Sequence, residues 1–175
     1  MTIHWKAGAV AVAVAALLTG CASSVSLDES AKTGTLAGES VSVEQVVANP
    51  FTDPANPLSQ RSVYFAFDAY DVAPEYAPAI EAHAKWLLEH PDVKIAIQGN
   101  TDERGGREYN LALGQKRSEA VKQRLVLLGV PPSRLEAVSF GKEKPIATGH
   151  SEEAWAQNRR ADLVYPAEYT VPAQH

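Results

Sequence analysis

From Ser62 onward, apolar residues recur in two rhythms, one of two residues and one of three to four. Ser62 to Asp68, reading Ser-Val-Tyr-Phe-Ala-Phe-Asp, has the β-branched and aromatic content of a strand. Pro74 and Pro78 then flank a helix start, with Glu75 placed to favour its N-terminal dipole. Ala77, Ile80, Ala84, Leu87 and Leu88 follow at helical spacing as far as His90-Pro91. Val93, Ile95 and Ile97 alternate with Lys94, Ala96 and Gln98, the pattern of a half-buried strand. A second helix is expected from about Glu108 to Leu128, with Leu113, Ala120, Val121, Leu125 and Leu128 as its apolar face. Gly129 stops it ahead of Pro131-Pro132. Leu135 to Phe140 reads as a third strand, followed by the turn-like Gly141-Lys142-Glu143-Lys144-Pro145. A short helix around Glu152 to Gln157 precedes a last strand, about Arg160 to Tyr165. The order β-α-β-α-β-(α)-β predicts an α+β sandwich, a small mixed sheet with its main helices packed on one face. Pro166 to His175 reads as a loose tail.

Before Ser62 neither rhythm holds. Lys6 is followed by an uncharged run of alanine, valine and leucine from Ala7 to Leu18, 12 residues long. That is short of the roughly 20 residues a bilayer-spanning helix needs, and it fits the core of a signal peptide. Leu18-Thr19-Gly20-Cys21 then places small residues just before the only cysteine. This resembles the lipobox of bacterial lipoproteins, in which the Cys21 thiol takes a diacylglyceryl group and the new amino terminus is acylated. Several chains anchor stably where one holds only marginally. By resemblance to the usual sorting rule, Ala22 after the cysteine directs the lipoprotein to the outer membrane, its domain facing the periplasm. With Cys21 lipidated, the mature chain has no disulfide.

Ala22 to about Gln60 reads as coil, with Ser23, Ser24, Ser26, Gly34 and Gly38 flexible and Pro50, Pro54 and Pro57 stiffer. Such a coil reaches roughly 30–40 Å. Val41 to Val47 is a short apolar patch compatible with a local helix or a strand. The chain thus divides into a lipoprotein signal peptide (1–20), a lipidated tether (21–60), a folded domain (61–165) and a tail (166–175).

Composition sharpens this division. The 175 residues are 45% hydrophobic, enough for a packed core. The formal charge is −5, and removing residues 1–20 takes one lysine and no acid, leaving −6. No basic tract is present, which argues against a nucleic-acid partner held through phosphates.

The candidate chemistry lies where the second strand gives way to the second helix. Gly99-Asn100-Thr101-Asp102-Glu103-Arg104-Gly105-Gly106-Arg107-Glu108-Tyr109-Asn110 crowds acids, arginines and hydrogen-bonding side chains beyond what a turn needs. The stretch resembles the signature loop and helix of OmpA-like peptidoglycan-binding domains, a likeness that covers about Val63 to Tyr165. In that family the motif's Asp and the Arg 15 residues later bind diaminopimelate, and the matching positions are Asp102 and Arg117. The expected ligand is the meso-diaminopimelate stem peptide of peptidoglycan, which carries an ammonium beside a carboxylate. Arg117 offers a planar fork for a carboxylate and Asp102 the matching anion. The helix rises about 14 Å from Glu108 to Arg117, so the loop must fold back for both to share a ligand. The alternative is a mutual surface pair, worth at most about 1 kcal/mol.

The resemblance also implies that Phe67, Asp68, Tyr70 and Asp71 line the same groove, with core packing an equal alternative for Phe67 and Tyr70. Asn110 and Leu113 would line its helix side, and Thr101, Glu103 and Arg104 its loop side. Arg159 and Arg160 match the Asn-Arg-Arg of the family's last segment, one of them supporting the fold. Two positions depart from the pattern: Asn100 stands where a histidine is usual, and Ala66 where an acid is frequent. Lipoprotein members of the family act in the Tol system, so TolB and other Tol proteins are implied partners. A wall-anchoring lipoprotein outside that system is the rival.

No cofactor is expected, and no Gly-x-Ser-x-Gly, His-Glu-x-x-His or second cysteine points to hydrolytic or metal chemistry. Asp102, Glu103 and Glu108 could be imagined as paired acids for glycan cleavage. Arg104 and Arg107 would keep them ionised and unfit as general acids.

Overall fold

The computed structural model describes residues 49–171. The expected signal peptide, Cys21, the Val41 to Val47 patch, most of the tether and residues 172–175 lie outside the described residues. Four strands, β1 (Ser62–Tyr64), β2 (Ile95–Asn100), β3 (Leu135–Gly141) and β4 (Arg160–Val164), form one sheet in the order β1-β4-β2-β3. β4 is antiparallel to β1 and β2, and β2 is parallel to β3. The helices are α1 (Ala77–Glu89), α2 (Arg107–Leu127), α3 (Glu152–Asn158) and α4 (Ala167–Thr170). This is the mixed α+β sheet with helices that the alternating pattern predicts.

Period-two burial in β2 explains the layering. Ile95 and Ile97 are buried while Ala96 and Gln98 are only half covered. The buried set joins Ile80, Ala84 and Leu87 of α1, Val121 and Leu125 of α2, and Leu163 of β4 in one core. α2 closes with Gly129 at φ +100, where Val130 N–H reaches the Leu125 carbonyl and Gly129 N–H the Val126 carbonyl. These are the two bonds of a Schellman motif, and Leu125 and Val130 supply its buried contact.

Four expectations need correction. β1 ends at Tyr64 rather than Asp68, because the chain turns there and Asp68 adopts φ +56. The carbonyls of Ala66 and Ala69, freed from the ladder, are taken by a side chain of α2. Val93 is buried but lies before β2. Leu128 caps α2 at 40% exposure, and the buried face includes Asn110, Gly114, Arg117 and Ser118. The helical period is obeyed, but polar side chains occupy three of its seven buried positions. Finally, the packed unit is wider than 61–165. Phe51 and Leu58 are core residues, with the Phe51 ring 5.1 Å from Trp86 and 4.7 Å from Tyr165. Tyr169 of α4 packs edge-on against Trp86, and Asn49 donates to its carbonyl. The tether and tail ranges therefore overlap the folded unit at 49–60 and 166–171.

Candidate functional site

Two glycines set the site's position. A Cβ on Gly99 would lie 1.8 Å from the Gly114 carbonyl oxygen, and one on Gly114 would lie 2.3 Å from Ser139 Oγ. Without side chains there, α2 rests directly on the end of β2. Thr101 N–H then donates to the Gly141 carbonyl, and Gly105 turns the chain at φ +87. Asn110 Nδ2 donates to the Arg104 carbonyl, while Lys142 Nζ donates to the carbonyls of Glu103 and Gly105. These bonds fold the loop back beside the first turns of α2.

A cavity of about 140 Å³ results, lined by Phe67, Asp68, Thr101, Asp102, Arg104, Gly105, Tyr109, Asn110, Leu113, Arg117 and Arg159. Eight residues expected from the sequence thus meet in one place. Tyr70 lines an adjoining hollow with Asp68, Tyr109, Ala112, Leu113 and Lys116. Asp71 is exposed and lines neither, a correction to its expected role. Glu103 also stands outside the cavity wall, its carboxylate held by His150 and by Trp155 Nε1–H. Phe67 and Tyr70 are not core residues, being 61% and 44% exposed.

Asp102 and Arg117 are both buried, and no ion pair joins them among the described residues. Asp102 Oδ1 accepts from the backbone N–H and Nε of Arg104, and Oδ2 accepts from Arg104 Nη2 at 2.6 Å. Arg159 Nη1 approaches Oδ2 at 3.5 Å and sends its Nε to the Phe65 carbonyl. Burial alone would raise the Asp102 carboxyl, but Arg104 and Arg159 outweigh it and hold the group below its ordinary range. Arg117 donates to three backbone carbonyls, those of Ala69, Asn100 and Ala66. Burial, helped by the nearby charge of Arg159, lowers its guanidinium to about 10, so it stays charged at neutral pH. Three of its five N–H donors are thereby committed.

Arg159, not Arg160, belongs to the cavity. Arg160 pairs with Asp162 and donates to the Lys144 carbonyl on the sheet side. Asn100, at the histidine position, is 1% exposed and gives its Nδ2 to Gln98 and Asp162. Among the described residues its Oδ1 has no hydrogen-bond partner.

Three participants escape a reading of the sequence. Tyr109 donates its hydroxyl to Asp68 across the cavity mouth. Glu152 pairs with Arg159 at 2.6 Å, and Trp155 stacks on Arg104. Tyr109 lies within the signature stretch, one position before Asn110, and its helical phase could have marked it. Trp155 and Glu152 carry no local signal.

Chemically the site offers fixed charges and hydrogen bonds rather than proton transfer. Asp102 is held ionised, and Glu103, gripped by His150 and then Trp155, is also lowered. Neither is poised to hold a proton near neutrality. Among the described residues no group of His, Cys, Asp and Glu could hold a metal ion.

A compact α+β domain with an Asp-bearing loop folded against an Arg-bearing helix defines a known class. Residues 64–159 match the OmpA family, and this chain belongs to it. It is 41% identical, over 90% of its length and 95% of the relative's, to the peptidoglycan-associated lipoprotein of Pseudomonas putida. It is 51% identical to that of Haemophilus influenzae, over 62% of this chain and 72% of the other. The crystal structure of the Burkholderia pseudomallei peptidoglycan-associated lipoprotein superposes with TM-score 0.65 at 62% identity, covering 67% of this chain and 99% of that one. The C-terminal domain of Helicobacter pylori MotB is a more distant likeness, at 26% identity and TM-score 0.55 over 59% of this chain and 81% of that one. The lipoprotein relatives are named for an association with peptidoglycan, not as enzymes.

Proposed function

We propose that this chain is an outer-membrane lipoprotein whose periplasmic domain binds the peptidoglycan stem peptide non-covalently. One observation carries the reading: two opposite charges 15 positions apart, Asp102 and Arg117, line a single cavity without pairing to each other. A buried separated pair of this kind suits a zwitterion, and meso-diaminopimelate presents one. Two donors of Arg117 remain for the ligand carboxylate, and Asp102 would receive the ammonium. Phe67, Asp68, Tyr70, Thr101, Asn110 and Leu113 would shape the rest. Acylation at Cys21 would join this grip to the outer membrane. The names of its relatives support the wall association, and partnership with TolB in a Tol system that aids envelope integrity and division follows from family likeness.

Calorimetry with stem peptides tests the site. Wild type should favour the diaminopimelate peptide over the lysine peptide, which lacks the second carboxylate. Asp102→Ala should lose roughly thirtyfold or more in affinity, since truncating one side of a desolvated charge pair costs about 2–5 kcal/mol. Equal affinity for both peptides, or a folded Asp102→Ala that binds normally, would sink the assignment. For the anchor, Cys21→Ser should release the protein from outer membranes and abolish labelled palmitate uptake. Capture of TolB separates membership of the Tol system from wall anchoring outside it.

A further inference from the structure

Phe67, which lines the cavity just after β1, and Trp155 of α3, which stands outside its wall, come from distant parts of the chain to meet the same side chain. The Arg104 guanidinium lies between their rings, 4.2 Å from the centre of Phe67 and 4.0 Å from that of Trp155. The same guanidinium is the fork that engages both oxygens of Asp102. Together these groups form a slot with two aromatic walls and a carboxylate floor. A planar cation satisfies walls and floor at once.

Arg104 is the least committed arginine of the cluster. Its side chain is 31% exposed, and its one further ionic partner, Glu152, stands 3.8 Å away. Arg117 and Arg159 are buried and tied to main-chain carbonyls. The Trp155 wall, by contrast, does not depend on Arg104 for its orientation. Its indole N–H donates to Glu103, which His150 also holds.

We infer that this slot is a cation subsite for the wall ligand and that Arg104 is its internal occupant, displaced when the ligand's ammonium arrives. The inference rests on the stem-peptide reading above. A primary ammonium has three donors for the two oxygens of Asp102 and presents a desolvated cation to both rings. Arg104 then sets a threshold for binding. A ligand without a cation cannot replace what it would evict, because buried Asp102 would keep only the Arg104 backbone N–H and the longer 3.5 Å contact of Arg159. Trp155 becomes a binding residue, and Arg104 a competitor rather than a contact.

The test uses the tripeptide L-Ala-γ-D-Glu-meso-diaminopimelate and the same peptide acetylated on its free side-chain amine. Arg104→Ala should bind the free-amine peptide about tenfold tighter than wild type, since the binding-competent state no longer competes with the internal cation. In the Arg104→Ala background Trp155 has only the ligand to face. There Trp155→Ala should weaken binding about tenfold, while Trp155→Phe, which keeps a ring face, should retain most of it. Acetylation should weaken binding to wild type and to Arg104→Ala alike. Circular dichroism on each variant guards against loss of fold, and the conservative Arg104→Lys should fall between wild type and Arg104→Ala. The inference is overturned if Arg104→Ala weakens binding or leaves it unchanged, if Trp155→Ala is silent in that background, or if acetylation has no effect. If wild type binds neither the diaminopimelate peptide nor its lysine counterpart, the stem-peptide reading itself fails, and this one with it.

Discussion

Two buried polar clusters lie in this domain, built on opposite principles. In the first, His83 Nε2 faces the Gln60 carbonyl at 3.1 Å and Nδ1 faces the Tyr165 hydroxyl at 2.8 Å. A carbonyl can only accept, so Nε2 carries the proton and Nδ1 accepts from Tyr165. Both ring nitrogens are satisfied and the cluster is neutral, with Phe51 packed against His83 and Tyr165. Burial lowers His83 to about 4. The second cluster gathers Asp102, Arg104, Arg117 and Arg159 around an open cavity rimmed by exposed Phe67 and Tyr109. Here charge is retained, donors remain over, and large apolar rings face solvent. A polar cluster that only holds a fold together closes on itself. One that leaves charge and ring faces at a cavity is a candidate for completion by a ligand.

The contrast is not absolute, because Arg117 belongs to both kinds, and this produces the largest expected effect. Arg117→Ala should destabilise the domain by about 3–5 kcal/mol, since it strands three carbonyls that the side chain now satisfies. Arg117→Lys should recover only part of that loss, as one ammonium cannot reproduce the fork. Urea denaturation measures both. A loss under about 1 kcal/mol would place Arg117 wholly in the binding cluster. It follows that binding data on Arg117→Ala are interpretable only where the fold is shown to persist.

The next effect belongs to the closed cluster. The folded-state value of His83, about 4, lies below its ordinary 6.5, so the unfolded chain binds its proton more readily. Stability is therefore fully present above pH 6.5 and declines as pH falls from there toward 4, by up to about 3 kcal/mol. Urea midpoints at pH 7 and pH 4 should show the decline, and His83→Gln should remove most of its pH dependence. Should the variant keep the full dependence, the acid sensitivity lies elsewhere.

The smallest effect calibrates the other two. Lys85 and Glu89 form an exposed pair on α1, 4.0 Å apart, with side chains 79% and 56% exposed. Lys85→Ala should change stability by no more than about 0.5 kcal/mol. A larger change would mean that exposed charge on this surface matters as much as buried charge, and the comparison between clusters would lose its force.

The sequence alone determined the order of elements, the mixed composition of the domain and the loop at which the chemistry gathers. Those features depend on residues close together, and periods of two and 3.6 report them directly. Tertiary structure alone decided three things. It placed Phe51, Leu58 and Tyr169 in the packed unit, because single apolar residues among prolines and polar neighbours have no period to reveal them. It ended β1 early and put three polar side chains on the buried face of α2, where Arg117 reaches carbonyls 48 and 51 positions away. It also brought Arg159 to Asp102 across 57 positions and Trp155 to Arg104, pairings that only sheet order and helix packing can create. Local pattern specifies which face of an element is buried. What that face meets is set by long-range packing, and the site is made of such meetings.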